Sequence, residues 1–193
     1  MNERKIKTLI PLAVAGDRNA FEEIYDLTVN YIYKTVYFLH DERFEVDDIV
    51  QEVFYQLFRC LSSFDLAEPF RPWLASITIK QVSEARRKKW KLNRVILKLF
   101  SFKEQDISDS LETVLDNDCY QQIIKHVEKL SPKLKEVVLL KYIHDFSQEQ
   151  IAEILNIPIG TVKSRINSAL TKLRSKPGVT SFTTVQEGKS HGY

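Results

Sequence analysis

The sequence predicts an all-α protein: two small helical domains joined by a flexible linker, the C-terminal one containing a helix-turn-helix. Three observations predict it. Apolar residues recur at three- and four-residue intervals along most of the chain, the period of a helix face. Only five glycines occur in 193 residues, too few for a turn-rich β protein. One acidic, weakly patterned stretch, from about Leu99 to Asp118, separates the periodic regions.

Taken in order, Gly16-Asp17 opens a helix in which Phe21, Ile24, Tyr25, Ile32, Val36 and Leu39 share a face. Val46 to Leu61 follows. It is expected to bury Ile49, Val50, Val53, Phe54, Leu57 and Phe58 and to turn Asp48, Gln51, Glu52 and Tyr55 outward. The stretch SSFDLAEPFRP, with two prolines, breaks the pattern. A third helix runs from about Trp73, through Leu74, Ile77 and Val82, into a basic block. The expected N-terminal domain is 1–95 and the linker 96–118. The C-terminal domain, 119–175, begins with Ile123, Ile124, Val127 and Leu130. Ser131-Pro132 starts its next helix, since proline at the first helical position lacks only an N–H that would have no partner there. That helix carries Leu134, Val137, Val138, Leu140 and Tyr142. The tail, 176–193, is polar and aperiodic, and is expected to be disordered.

The most informative stretch is Phe146 to Arg174. Ser147 and Gln150 form an S-x-x-Q capping box, and Ile151, Ile154 and Leu155 give the short helix an apolar face. Asn156 tolerates the left-handed conformation that ends a helix, and Pro158 stands where the next begins. That second helix has Val162, Ile166, Ala169, Leu170 and Leu173 on one inward stripe. Thr161, Ser164, Arg165 and Ser168 project away from it, with Lys163 on the other flank. This is the layout whose second helix enters the DNA major groove with its N-terminal residues against base edges. A good bidentate pair there discriminates between bases by about 1–3 kcal/mol. The alternative is an αα-hairpin packed in a bundle, which does not require Thr161, Ser164 and Arg165 on one bare face.

Charge and composition narrow the classes further. The net charge of +2 is near neutral, but Arg86, Arg87, Lys88, Lys89, Lys91, Arg94 and Lys98 form an acid-free block while acids gather at Asp41–Asp48 and Glu104–Asp118. Separated blocks present surfaces of opposite sign, suited to a polyanion and to a basic protein partner. Cys60 and Cys119 lie far apart without a CxxC, the pattern of reduced thiols in a cytosolic protein. No metal-ligand set, glycine-rich phosphate loop or nucleophile paired with a histidine stands out, so no cofactor, metal or small-molecule substrate is expected. Lys5 and Lys7 ahead of LIPLAVAG imitate a signal peptide, but the apolar stretch is short and Pro11 interrupts it.

Three segments together resemble the extracytoplasmic-function (ECF) sigma factors of bacterial RNA polymerase. Ile157 to Arg165, IPIGTVKSR, resembles the family's −35-reading helix-turn-helix. VDDIVQEVF (Val46 to Phe54) is similar to its polymerase-binding helix, and FRPWLASI (Phe70 to Ile77), preceded by Ser63-Phe64, to its −10 segment. The resemblance covers nearly everything from about Gly16 to Arg174. It implies a non-enzymatic subunit whose partners are core RNA polymerase, promoter DNA and an anti-sigma factor, the last often membrane-anchored. Residue by residue, it implies that Asp47, Asp48, Gln51 and Glu52 dock on the polymerase. It implies that Phe64, Phe70 and Lys80 serve the −10 element while Arg86, Arg87, Lys88 and Lys89 track phosphates. It implies that Thr161, Lys163, Ser164, Arg165 and Ser168 read the −35 element.

Each of these has a plainer reading. The carboxylate row could be a solvated helix face, and Phe64, Phe70 and Trp73 could be core. The basic block could lie on an anionic membrane, although it lacks the broad apolar face this needs. This sequence also departs from the family, with Lys80 where Asn is frequent, Ser76 where Arg is frequent, and Asp65-Leu66-Ala67 without the usual loop glycine. The alternative function is a free-standing helix-turn-helix regulator that binds duplex DNA alone.

Overall fold

The computed structural model describes residues 1–100, 126–127 and 129–174, with side chains up to 94 in the first stretch. Seven helices make up this part of the chain. The first was not expected. α1, Glu3–Val14, includes the signal-like segment and buries Ile6, Leu9, Ile10 and Ala13 on one face. The Asn2 side chain caps it by accepting from the Lys5 N–H. Gly16 ends it at φ +96°, a conformation that costs a glycine little. The N–H groups of Gly16 and Asp17 then reach back to the carbonyls of Ala13 and Leu12.

α2, Arg18–Leu39, is capped by the Asp17 carboxylate, which accepts from the N–H groups of Asn19 and Ala20. Ile24, Ile32, Val36 and Leu39 are fully buried. Thr28 and Thr35 are buried beside them, each donating its hydroxyl to a carbonyl one turn back at 2.7 Å, which satisfies a polar group the core would otherwise penalise. After a 3-10 turn at Arg43–Glu45 comes α3, Val46–Cys60, with Asp47 and Asp48 in its first turn, where the helix dipole favours negative charge. It buries Val46, Ile49, Val50, Val53, Phe54 and Leu57. Phe58, expected inside, is 55% exposed; it sits at the rim of the stripe, where only Phe21 of α2 meets it edge-on at 4.9 Å among the ring contacts of the described residues.

A 3-10 turn at Leu61–Ser63 leads into the loop before α4, Phe70–Phe100. This helix starts three residues earlier than expected because the Phe70 N–H donates to the Glu3 carboxylate of α1 at 2.6 Å. That cap comes from 67 residues away in the chain, so no local signal announced it. α4 runs on to Phe100, past residue 95 where the sequence placed the first domain's end. The remainder of the expected linker and the tail 176–193 lie outside the described residues.

The C-terminal helices are α5, Pro132–Val138, continued by a π-helical turn at Leu139–Ile143, then α6, Gln148–Leu155, and α7, Ile159–Arg174. Proline does stand at the start of α5, although Ser131 makes no side-chain cap bond. Val127, Leu130, Leu134, Val138, Ala169 and Leu173 form a small core of their own. The two groups of helices are not held apart. Val137, Leu139, Leu140, Phe146, Ile151 and Ile154 join the same continuous core as the residues of α1–α4, with α6 against α4 and α5 against α2.

Candidate nucleic-acid interface

The turn between α6 and α7 is built by local bonds. Ser147 accepts from the Gln150 N–H at 3.2 Å, and the Gln150 side chain accepts from the Ser147 N–H at 3.0 Å. Asn156 closes α6 in the left-handed region at φ 49°. α7 then buries Val162, Ile166, Ala169 and Leu173. Lys163, Ser164 and Ser168 are exposed, while Thr161 and Arg165 stand half-exposed at the margin. Thr161, Ser164, Arg165 and Ser168 therefore share one solvent-facing side, with Lys163 on the other flank of the buried stripe, even though the unit is docked on the N-terminal helices. Ser164 donates to the Thr161 carbonyl at 3.0 Å, so its oxygen's lone pairs are what it offers outward.

On α3, Asp47, Asp48, Gln51 and Glu52 are all exposed. Tyr55 (56%) and Phe58 (55%) extend that face, and Phe44 (76%) lies in the preceding turn. The sequence reading missed Phe44 and Phe58 as members of this surface. Their signal was weak, a single apolar residue at the edge of a stripe. A carboxylate row bordered by open rings is better suited to a protein than to solvent alone.

The residues expected at the −10 element divide. Phe70 is fully buried and Phe64 is 8% exposed; with half-buried Trp73 they form an aromatic cluster with centroids 4.8–5.6 Å apart. Neither phenyl group offers an open face to a base. This corrects the expectation that the two phenyl groups serve the −10 element by direct contact: the chain needs large apolar groups where the loop enters α4. What the loop exposes is Ser62, Ser63 and the run from Asp65 to Pro69. The Asp65 carboxylate accepts from the Ala67 N–H at 2.9 Å, shaping the turn.

The basic block divides too. Lys80, Arg87 and Lys88 are exposed. Arg86 instead donates to the Glu136 carboxylate at 2.6 Å, across the seam between the two helical units. Lys89 pairs with Glu42 at 2.7 Å. A further pair, Lys135 with Asp41 at 2.5 Å, spans the seam, and Lys135 is only 2% exposed.

At the centre of the seam is His144, 6% exposed. Thr35 uses its hydroxyl proton on the Tyr31 carbonyl, so His144 Nε2 is the donor in their 2.9 Å contact. Arg71 donates to the His144 carbonyl at 3.0 Å, and the Tyr31 ring lies 4.4 Å from the imidazole. Burial first, and the Arg71 charge second, push the imidazole pKa down to about 4. Burial likewise holds the Tyr31 phenol protonated. A cleft of about 910 Å³ runs along this seam, lined by Tyr31, Tyr33, Tyr37, Phe38, Arg71 and His144 among others.

Two family models match the chain on either side of the seam, Sigma-70 region 2 over residues 24–92 and Sigma-70 region 4 over residues 120–173. The ECF RNA polymerase sigma factor SigW of Bacillus subtilis (strain 168) is 32% identical over 185 residues, covering 90% of this chain and 97% of that protein. This chain belongs to the ECF sigma factors. The ECF RNA polymerase sigma-E factor of Escherichia coli (strain K12) is 27% identical over 181 residues, covering 88% of this chain and 93% of its own. Among solved structures, CnrH in complex with the cytosolic domain of CnrY has a TM-score of 0.61 at 23% identity, covering 89% of this chain and 96% of that one. The sigma factor RpoE of Bartonella quintana, in complex with the anti-sigma factor NepR, has a TM-score of 0.66 at 22% identity, covering 80% and 94%. As an ECF sigma factor the chain binds core RNA polymerase and directs promoter-specific transcription initiation. No helix among the described residues is long and apolar enough to cross a membrane, and no group of three or more His, Cys, Asp or Glu side chains among them could hold a metal ion.

Proposed function

We propose that this sigma factor divides its work among three surfaces and contributes binding rather than chemistry. The open face of α3, centred on Asp47, Asp48, Gln51 and Glu52, docks on a basic surface of the polymerase. The outer side of α7, Thr161, Lys163, Ser164, Arg165 and Ser168, reads the −35 element. The outer part of α4, with Lys80, Arg87 and Lys88, tracks phosphates near the −10 element, and Arg86 and Lys89 join it when their carboxylate partners are released. The observation that carries this assignment is that Lys163, Ser164 and Ser168 are exposed and Thr161 and Arg165 half-exposed in a helix that buries Val162, Ile166, Ala169 and Leu173. The aromatic cleft along the seam fits a segment of an anti-sigma partner. The structurally similar CnrH and RpoE in complex with CnrY and NepR support such a partner for this chain, as does their common fold. The site of action is the cytoplasm, where polymerase and promoter are found together.

The assignment is tested by reconstitution with sigma-free core polymerase and a promoter library. Specific transcription that requires core supports it; tight, specific DNA binding by the chain alone would favour a free-standing regulator. Reversing Asp48 and Glu52 to lysine is expected to abolish holoenzyme formation on a native gel while leaving the melting temperature within a few degrees, because both side chains are exposed. Unchanged association would remove them from docking. Arg165→Ala is expected to weaken −35-dependent binding by about 5- to 150-fold, from about 1–3 kcal/mol per base contact, and to spare core binding. Equal loss of both would make Arg165 structural.

A further inference from the structure

The outer turns of α4 carry a feature that charge alone does not explain. Trp90 is 59% exposed, a large apolar surface left in water. Arg86 and Arg87 precede it by four and three residues and Arg94 follows by four, so all lie on one helix face. Arg87 is largely open, with 71% of its side chain exposed, and the Arg94 guanidinium sits 4.6 Å from the indole centroid. Lys88 and Lys91, both exposed, flank the stripe. Trp73, the other tryptophan, is half-buried with Phe64 and Phe70, so Trp90 is the indole this surface presents.

We propose that Trp90 is a base-stacking residue for the opened promoter strand, one unpaired base lying on the indole while Arg87 and Arg94 hold the phosphates to either side. The proposal rests on the reading of α4 as a phosphate track. Seven residues separate the two arginines, about 10 Å of helix at 1.5 Å per residue, room for one nucleotide and its flanking phosphates. A duplex buries base faces in its own stack, so an exposed indole gains a partner only when a base is unpaired. An arginine over the ring holds it in place and adds cation–π attraction. A membrane surface fits less well. Among the described residues of these turns, the other exposed apolar side chain, Leu92, is two residues from Trp90 and so points to another side of the helix, whereas an interfacial helix gathers its apolar groups on one face.

The test uses holoenzyme on a promoter obtained by reconstitution, supplied as intact duplex and as a template pre-melted across the −10 element. Trp90→Ala should weaken binding to the pre-melted template by about tenfold, the stacking of one base, and Trp90→Phe should recover most of it. Because no charge is removed, the slope of log K against log salt should not change. Arg87→Ala and Lys88→Ala should each make that slope shallower by about 0.7. Wild-type binding by Trp90→Ala on the pre-melted template would overturn the stacking role, while charge variants with an unchanged slope would overturn the phosphate track instead. Trp90→Phe as weak as Trp90→Ala would also overturn stacking. Loss of binding to vesicles of phosphatidylglycerol by Trp90→Ala, with DNA binding intact, would overturn it in favour of a lipid surface.

Discussion

Phe70→Ala is expected to lower the unfolding free energy by about 3–5 kcal/mol, the cost of emptying a phenylalanine site in a packed core. The phenyl ring has no exposure and lies edge-on to Phe64 at 5.4 Å, with Trp73 at 5.6 Å on its own helix. Its N–H is tied to Glu3, so the residue joins the start of α4 to α1 as well as filling the core. Removing the ring leaves a cavity at the point where the loop before α4 is anchored. Promoter opening should therefore fall, but only in proportion to the unfolded fraction. Denaturant titration and a transcription assay, run at two temperatures, separate the causes. A variant as stable as wild type with selective loss of −10 binding would show that Phe70 meets DNA directly, and the burial argument would fail.

Acidification from pH 7 toward 4 is expected to destabilise the docked arrangement by up to about 3 kcal/mol through His144 alone. The sign follows from its lowered pKa. In the packed state the imidazole stays neutral down to about 4, whereas a histidine released to water takes a proton below its ordinary 6.5. Between those values the open or unfolded chain binds a proton that the packed one does not. Stability is then fully present above about 6.5 and falls as pH drops toward 4, by at most about 1.4 kcal/mol per pH unit. Among the described residues, the groups in contact with the ring offer no anion to hold a protonated form: Arg71 from α4 carries positive charge, Tyr31 from α2 is neutral, and Thr35 already accepts its Nε2–H. Other groups also respond to acid, so the measurement is a difference. Unfolding free energies of wild type and His144→Gln, taken at pH 7, 6 and 5, should converge as pH falls. Parallel curves would mean that His144 does not titrate between the two states.

Local order in this molecule was legible in its residues. The Asp17 cap, the Ser147–Gln150 box, the left-handed Asn156 and the buried stripe of α7 are interactions between residues one to four apart, and a single helical turn carries all the information they need. The exposed faces of α3 and α7 follow from the same period. Trp90 is the one aromatic residue in the basic block from Arg86 to Lys98, and no apolar periodicity marks it.

What only the tertiary structure decided is which side chains meet from far along the chain. Glu3 caps α4, Glu136 holds Arg86 at a separation of 50 residues, and His144 reaches Thr35 across 109. Periodicity assigns a residue to a face but does not say what that face will touch. So the helical class and the open side of α7 were set by the sequence itself, whereas the docking of the two units, the burial of Phe64 and Phe70, and the neutral His144 between them were not. Those depend on desolvation and charge pairing between remote surfaces, and such energies exist only once the surfaces are brought together.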